Sequence, residues 1–292
     1  MKPPPFDYAV PTSIAEAISL LQEHGEGAKI LAGGQSLVPL LNFRLIEPQI
    51  LVDINRIEGL SYIAESDGGL RIGTLTRHRT LETSALVRSK CPILSKAASL
   101  IGHVAIRNRG TFGGSLAHAD PAAELPLLLA TLGGRIFVSG VQGDRGVDAA
   151  DFFIDYLTTD LRPTELLVGA WIPNLPSHTG WGFHEFTLQH GGFAVAAAAA
   201  LVTLDHQGAC RSATITIGNV APTPLRAKKA ELLLQGVRPG NQAIAEAARL
   251  AVEGAQPTSD FHTSAEYRKA LAEVLVRRTL EDAWARARQQ NE

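Results

Sequence analysis

Two short segments carry glycine pairs next to small polar side chains, a combination that can bind phosphate. The first is Ala32-Gly33-Gly34-Gln35-Ser36 and the second is Thr111-Phe112-Gly113-Gly114-Ser115. Glycine adopts positive φ at little cost and has no Cβ, so a ligand can touch the main chain. Consecutive amides in such a turn form an anion-binding nest, to which nearby hydroxyls add donors. Each pair alone is more typical of a tight turn, but two of them predict a dinucleotide.

Neither segment matches the patterns of the most common nucleotide-binding folds. The G-x-G-x-x-G fingerprint does not fit either of them, and neither has the lysine of a P-loop. The sequence therefore does not favour a Rossmann domain or an ATPase.

Residues after the second segment allow structural as well as functional interpretations. Asp120 before Pro121 is typical of a helix N-cap with proline at the first helical position, more than of a catalytic acid. Glu124 could favour the positive end of that helix or contact a cofactor. His118 and Asp120 have no third ligand, so a metal site is not favoured. We name no catalytic residue and no metal ligand.

The arginines before the second segment also leave two interpretations open. Arg107 and Arg109 either reach a phosphate or a partner's carboxylate, or form ion pairs at the surface.

Composition excludes several classes of protein. The chain has 292 residues, with 27 Lys+Arg against 29 Asp+Glu, so no basic field favours nucleic acid or an anionic membrane. Cys91 and Cys210 lack the spacing of an iron–sulfur or zinc site and are too few for a disulfide-built fold. The most apolar run, 192–204, is too short to span a bilayer, and residues 1–11 lack a signal-peptide core. We expect a cytoplasmic protein.

The pattern of elements predicts an α+β architecture. A capped helix follows Ser13 and ends at Gly25, strands cover 29–33 and 50–54, helices break at Pro92, and a further helix spans 120–131. The proline- and glycine-rich stretch 173–182 is typical of a connector. Beyond it come strands, including the alanine-rich run, and then helices. We expect a domain at 1–175, with subdomains of about 1–56 and 57–175, and a second domain at 176–292.

Two stretches carry a resemblance to a known family. AGGQSLVPLLNFRL at 32–45 and AIRNRGTFGGSLAHADPAAELP at 105–126 resemble the FAD-binding medium subunit of molybdenum hydroxylases. That group includes carbon monoxide dehydrogenase, quinoline 2-oxidoreductase and the flavin domain of xanthine dehydrogenase, and the resemblance covers nearly the whole chain. It implies a vanillyl-alcohol-oxidase/PCMH-type FAD-binding domain of two subdomains, followed by a C-terminal domain with an antiparallel sheet and a helix bundle.

The same resemblance implies a set of FAD-binding residues. Both glycine segments would hold the diphosphate and the adjoining sugar, Glu124 would bind cofactor hydroxyls, Leu167 would contact the flavin end through its main chain, and Phe193 would lie against the isoalloxazine. The complete set is Ala32, Gly33, Gly34, Gln35, Ser36, Thr111, Phe112, Gly113, Gly114, Ser115, Glu124, Leu167 and Phe193.

One stretch departs from the family pattern. Where members often have RxGDYA, this chain has QHGGFA at 189–194, so the aspartate is absent and Phe193 replaces tyrosine. This leaves FAD binding expected and puts the gating of the flavin face in question.

The family implies an electron-transfer subunit. Electrons from a molybdenum cofactor in a large subunit would pass through [2Fe–2S] clusters in a small subunit to FAD in this chain and then to an external acceptor, in a dimer of heterotrimers. Two alternatives remain open at this point. The chain could be a self-contained flavin oxidase for a small alcohol or phenol, or a scaffold with a vestigial flavin site.

Overall fold

The N-terminal part of the computed structural model, which describes residues 2–238 and 240–290, contains a small parallel sheet. Its elements are β1 (Asp7–Ala9), α1 (Ile14–His24), β2 (Ala28–Leu31), α2 (Leu37–Asn42) and β3 (Ile50–Asp53), with short 3-10 helices at Gly25–Gly27 and Ile54–Arg56. The strand order is β1-β3-β2, and β3 runs parallel to both neighbours. All three strands therefore end at the same edge of the sheet.

The predicted start and end of α1 are confirmed. Ser13 Oγ accepts a hydrogen bond from the amide of Glu16 at 3.1 Å, and Gly25 ends the helix with a φ of 50°. The carboxylate of Glu16 turns back to the amide of Thr12 at 2.7 Å. Ala17 is fully buried and packs with the parallel sheet, which fixes the helix against it.

The central part is built on an antiparallel sheet covered by short helices. Its elements are β4 (Ile63–Ser66), β5 (Gly69–Gly73), α3 (His78–Thr83), α4 (Ala85–Lys90), α5 (Pro92–Ala98), α6 (Val104–Arg109), α7 (Phe112–His118), α8 (Glu124–Leu132), β6 (Arg135–Gly140), β7 (Gly143–Asp148), α9 (Ala149–Phe152), β8 (Phe153–Asp155), β9 (Thr158–Thr159) and β10 (Glu165–Pro173). The five-stranded sheet has the order β4-β5-β10-β6-β7. The break between α4 and α5 falls at Pro92, as predicted.

The start of α8 differs from the prediction. The helix begins at Glu124, with Ala123 at the N-cap position, so the expected N-cap role of Asp120 is wrong. Asp120 instead closes a turn, because its carboxylate accepts a hydrogen bond from the amide of Ala122 at 2.8 Å. The end of the helix agrees with the sequence, since Gly133 adopts a φ of 66° there.

The C-terminal part combines a second antiparallel sheet with three helices. Its elements are β11 (Thr179–Thr187), β12 (Ala194–Leu204), β13 (Cys210–Gly218), β14 (Leu225–Arg226), α10 (Lys228–Leu234), α11 (Asn241–Ala251) and α12 (Ala265–Gln289). The four strands lie in chain order. The alanine-rich run is a strand, as predicted. Ala197 and Ala199 pack into the central core, while alternate residues such as Ala198 pack into the C-terminal core.

Two glycines that the sequence placed in a connector belong to β11 instead. A Cβ at Gly180 would lie 1.9 Å from the carbonyl oxygen of Ala283, and one at Gly182 would lie 2.0 Å from that of Thr279. These glycines therefore allow α12 to lie directly on the backbone of β11. The segment between β10 and β11 is confined to 174–178.

Over the described part of the chain, none of the helices has the length and apolar character needed to cross a membrane.

Candidate functional site

A cavity of about 530 Å³ opens where β2 and β3 end. Because these neighbouring strands are parallel, the loops that follow them lie side by side, which is where open α/β sheets bind ligands. The volume lies within the usual range for small-molecule sites. The lining residues are Tyr8, Leu31, Ala32, Gly33, Gly34, Gln35, Val38, Pro39, Asn42, Asp53, Asn55, Ile106 and Arg109.

The first glycine segment presents free main-chain donors to this cavity. Within the described ranges, the amides of residues 33–36 have no hydrogen-bond acceptor. Gly34 has a φ of 72°, which a residue with a Cβ adopts only with strain. The side chain of Gln35 donates to the carbonyl of Gly33 at 3.0 Å and holds the turn. We call the free amides of residues 33–36 the amide nest, and anion binding by them stays a prediction.

Gly33 has a different reason to be glycine. A Cβ at this position would lie 2.5 Å from the carbonyl oxygen of Arg109 and 2.8 Å from the Cα of Gly110. The first segment thus packs directly against the chain that leads into the second segment. Ser36 follows the nest as the N-cap residue of α2, but its side chain makes no capping bond.

The second glycine segment is the first turn of α7. The amides of residues 112–115 all donate to oxygen atoms of the protein: Phe112 to Thr76 O at 2.8 Å, Gly113 to Thr74 O at 2.8 Å, Gly114 to Thr111 Oγ1 at 3.2 Å, and Ser115 to Thr111 O at 3.1 Å. The prediction that both segments are amide nests is therefore wrong for the second. None of residues 111–115 lines the cavity near the first segment.

Close packing explains the glycines of the second segment. Thr111 and Phe112 are buried, and a Cβ at Gly113 would lie 1.7 Å from Thr74 Oγ1. The hydroxyl of Ser115 is the one polar side-chain group here that has no bond among the described residues. Cofactor binding by this segment remains a prediction that now depends on side chains rather than amides.

A polar network that the sequence did not reveal forms another wall of the cavity. Tyr8 donates to the carboxylate of Asp53, which also accepts from the amide of Asn55 at 2.9 Å. Asn55 Nδ2 donates to the carbonyl of Ala32 at 2.8 Å, and Arg77 Nη2 donates to Asn55 Oδ1 at 2.7 Å. Burial opposes the charge of Asp53, but the bonds from Tyr8 and Asn55 outweigh it and lower its pKa. Asp53 is therefore an ionised acceptor for ligand hydroxyls.

Glu124 does not line this cavity and lies near other carboxylates. Burial, followed by the charges of Glu185 and Asp120, raises the pKa of Glu124 to about 8. Burial also raises the pKa of Glu185 to about 7, although Lys96 opposes it, and Glu185 Oε2 has no partner in the described part of the chain. A carboxyl group that keeps its proton at neutral pH can donate to a hydroxyl as well as accept from one.

The two residues expected at the flavin end lie elsewhere in the fold. Leu167 is buried in β10, next to a bulge in its pairing with β6. Phe193 is 73% exposed in the loop between β11 and β12. This loop contacts the start of α6, because the rings of His190 and His103 lie 5.6 Å apart. The other end of α6 reaches the cavity through Ile106 and Arg109.

Asn219 joins the turn before Glu124 to the strand that follows Phe193. Its amide donates to the carbonyl of Pro121 at 2.9 Å, and its Nδ2 donates to that of Ala194 at 2.7 Å. The structure thus brings the first glycine segment together with the approach to the second, and places Glu124, Leu167 and Phe193 outside the cavity.

Hydrogen-bond donors and an acceptor carboxylate line the cavity. Among the described residues, no three His, Cys, Asp or Glu side chains are grouped to hold a metal ion, and His118 lies 4.0 Å from Asp120. Free amides, a left-handed glycine and the acceptor Asp53 beside one cavity fit a ligand that carries both phosphate and hydroxyl groups.

Two family models match the chain. The FAD binding domain in molybdopterin dehydrogenase matches residues 4–175, and the CO dehydrogenase flavoprotein C-terminal domain matches residues 181–283. One relative is the 6-hydroxypseudooxynicotine dehydrogenase complex subunit alpha of Paenarthrobacter nicotinovorans, which is 46% identical over 99% of this chain and 97% of its own length.

Solved structures resemble the whole chain as well. Quinoline 2-oxidoreductase from Pseudomonas putida 86 aligns with a TM-score of 0.94 and 40% identity, covering 98% of this chain and 99% of that chain. Carbon monoxide dehydrogenase from Hydrogenophaga pseudoflava aligns with a TM-score of 0.95 and 37% identity, over the same shares of the two chains. The expected fold is thereby confirmed.

Proposed function

Because the chain belongs to the FAD-binding subunits of the molybdenum hydroxylase family of oxidoreductases, we propose that it is the electron-transfer subunit of such a complex. It receives electrons from the iron–sulfur clusters of a partner subunit and passes them to an external acceptor. The observation that carries the proposal is the nest of free amides at residues 33–36, beside a cavity of about 530 Å³ within the matched FAD-binding region. Bound FAD would supply the redox chemistry, because it exchanges electrons in ones and twos.

The chain's own residues bind and orient the cofactor in this proposal. The free amides of 33–36 donate to the diphosphate, and the ionised carboxylate of Asp53 accepts from a cofactor hydroxyl. Glu124 binds another hydroxyl as a neutral acid, supported by its raised pKa. Ser115, the main chain of Leu167, and Phe193 complete the set. Phe193 has no hydroxyl of its own, so it screens one face of the flavin without donating a hydrogen bond.

We further propose that substrate choice lies outside this chain. The relatives compared above are named for a nicotine derivative, for quinoline and for carbon monoxide, yet each resembles this chain over at least 97% of both lengths. Such different substrates would need different pockets, whereas these chains keep one fold. A large molybdenum subunit and a small iron–sulfur subunit would complete the complex, as a dimer of heterotrimers.

The chain divides into two domains near residue 175 in this proposal. The separate matches at 4–175 and 181–283 support the division, as does the short segment 174–178 between β10 and β11. The first domain would consist of subdomains meeting near residue 56, where the parallel sheet ends.

The test is an absorption spectrum of the tagged chain and of the complex that it recovers, before and after acid precipitation. We expect flavin bands that pass into the acid supernatant, together with molybdenum and iron in the complex. Under anaerobic conditions, and without added dithionite, oxidation of a substrate by the complex should reduce the flavin and bleach its absorption bands. A chain and a complex that release no flavin into the acid supernatant and take up no added FAD would refute the proposal. Bleaching of the isolated chain by a small alcohol or phenol would instead identify a self-contained oxidase.

A further inference from the structure

Two arginines that are two residues apart in the sequence have different environments. Arg107 is 7% exposed, and its guanidinium makes three hydrogen bonds: Nε donates to Glu82 at 2.8 Å, and Nη1 donates to the carbonyls of Ile101 and Gly102 at 3.1 and 2.8 Å. Arg109 lines the cavity, and its guanidinium has no acceptor within residues 2–238 and 240–290. Arg107 therefore supports the fold, while Arg109 is available to a ligand.

The main chain of Arg109 is fixed although its side chain is free. Its carbonyl oxygen lies against Gly33, where a Cβ would come within 2.5 Å, and it also accepts a hydrogen bond from Arg77 Nη1. These contacts hold the Cα of Arg109 beside the amide nest. The guanidinium therefore starts from a fixed point next to the free donors of residues 33–36.

The positive charge here exceeds what the neighbouring acid can balance. Arg77 and Arg109 are close enough that the charge of Arg109, after burial, lowers the pKa of Arg77. The nearby carboxylate is Asp53, whose oxygens already accept bonds from Tyr8 and Asn55. Two guanidinium groups lie close to one carboxylate that already accepts hydrogen bonds. The group carries a net positive charge and therefore favours binding of an anion. The amides of the nest are neutral donors, so a diphosphate bound to them alone would have no positively charged partner.

We propose that Arg109 is the cationic ligand of the FAD diphosphate in this cavity. The inference rests on the proposed function, because it assumes that FAD is the occupant. The guanidinium would bind the phosphates from beside the amide nest, and its fork of donors matches phosphate oxygens in pairs. Phosphate recognition is thus shared between neutral amides of one chain segment and a charged side chain of another.

The experiment measures the affinity of the full chain, and of the complex it recovers, for FAD and for riboflavin, which has no phosphate. Arg109→Gln should raise the Kd for FAD about 10- to 100-fold, the range for losing a charge-assisted hydrogen bond. Its Kd for riboflavin should not change. Arg109→Lys should recover most of the FAD affinity, because the charge is restored. The FAD affinity of the unmodified chain should also fall more steeply with salt than that of Arg109→Gln.

Arg88→Gln is the matched control, because it removes an exposed arginine of α4 that does not line the cavity. It should bind FAD like the unmodified chain. Equal FAD affinity of Arg109→Gln and the unmodified chain would overturn this inference and leave the proposed function intact. An equal loss for FAD and riboflavin would also overturn it, because the effect would not depend on phosphate. If the unmodified chain and complex bind no FAD, the proposed function itself fails.

Discussion

The two glycine segments have nearly the same sequence pattern and opposite main-chain states. In residues 33–36 the amides have no acceptor in the described part of the chain, and residues 33–35 line a cavity, whereas in residues 112–115 each amide is already bonded within the protein. In the first segment Gly34 is needed for its positive φ; in the second, Gly113 is needed because a neighbouring threonine leaves no room for a Cβ. Close packing occurs in both segments, because Gly33 also leaves no room for a Cβ, so the hydrogen bonding of the amides is what distinguishes the two.

The largest expected effect tests the packing role of the second segment. Gly113→Ala should lower the free energy of unfolding by about 3 kcal/mol, because the new Cβ overlaps the side chain of Thr74 in a packed interior. That loss should exceed the gain of roughly 1 kcal/mol from replacing glycine in a helix. Denaturant unfolding measures it. Gly254→Ala is the control, since the nearest atom would lie 3.9 Å from its Cβ, and it should change stability by less than about 0.5 kcal/mol.

The next effect concerns Glu124, which follows the second segment. Its pKa is about 8 in the folded chain against an ordinary 4.5, so between these values the folded chain holds a proton that the unfolded chain has lost. The free energy of unfolding therefore falls as pH rises across this range. Glu124→Gln removes that proton exchange. Its stability relative to the parent should rise steadily from pH 5 to pH 8.

Glu185→Gln provides the companion measurement, because the pKa of Glu185 is raised to about 7. The stability of Glu185→Gln relative to the parent should also rise with pH, and it should level off at a lower pH than that of Glu124→Gln. A flat difference for Glu124→Gln, measured by denaturant unfolding at each pH, would mean that Glu124 is ionised in the folded chain. The neutral acid could then not take part in hydroxyl binding at the second segment.

A smaller effect separates strain from ligand binding in the first segment. Gly34→Ala should cost about 1–2 kcal/mol of stability, because alanine must adopt the left-handed conformation. Gly68, in the turn between β4 and β5, has the same φ of 72° and lies outside the cavity, so Gly68→Ala should cost a similar amount. Only Gly34→Ala should also weaken FAD binding, by about tenfold or more. Equal FAD affinities in a fluorescence titration would count against the amide nest.

The smallest effect compares the hydroxyls at the ends of the two segments. Ser36→Ala and Ser115→Ala should each raise the Kd for FAD by about two- to tenfold, the range for one neutral hydrogen bond. Because the amides of 112–115 are engaged, Ser115 would account for most of the second segment's binding. An unchanged Kd for Ser115→Ala alone would remove that segment from the cofactor site.

Local signals in the sequence predicted much of the fold. The cap at Ser13 and the stop at Gly25 depend on neighbouring residues, so they could be recognised without tertiary information. β12 was predicted despite its alanines, which are small because the strand is packed on both faces. By contrast, β7 was not predicted, because this edge strand is polar and lacks the alternation of apolar residues that identifies strands.

The site was predictable only where function depends on local chain geometry. The nest at 33–36 has a recognisable glycine pattern. Asp53 could have been found with it, since it ends a strand parallel to β2 at the same sheet edge. The distinct environments of Arg107 and Arg109 were not predictable, because they depend on Glu82 and Gly33, which are distant in sequence. Likewise, the amides of the second segment are engaged by Thr74 and Thr76 through tertiary contacts.

The contact between Gly33 and the main chain of Arg109 also bears on when the cavity can form during protein synthesis. The nest leaves the ribosome well before Arg109 is synthesised, by several seconds at roughly 5–20 residues per second. During this interval the cavity lacks the wall formed by Ile106 and Arg109. We therefore expect the cavity to enclose FAD only after α6 has docked, so that flavin binding is a late step in the folding of the chain.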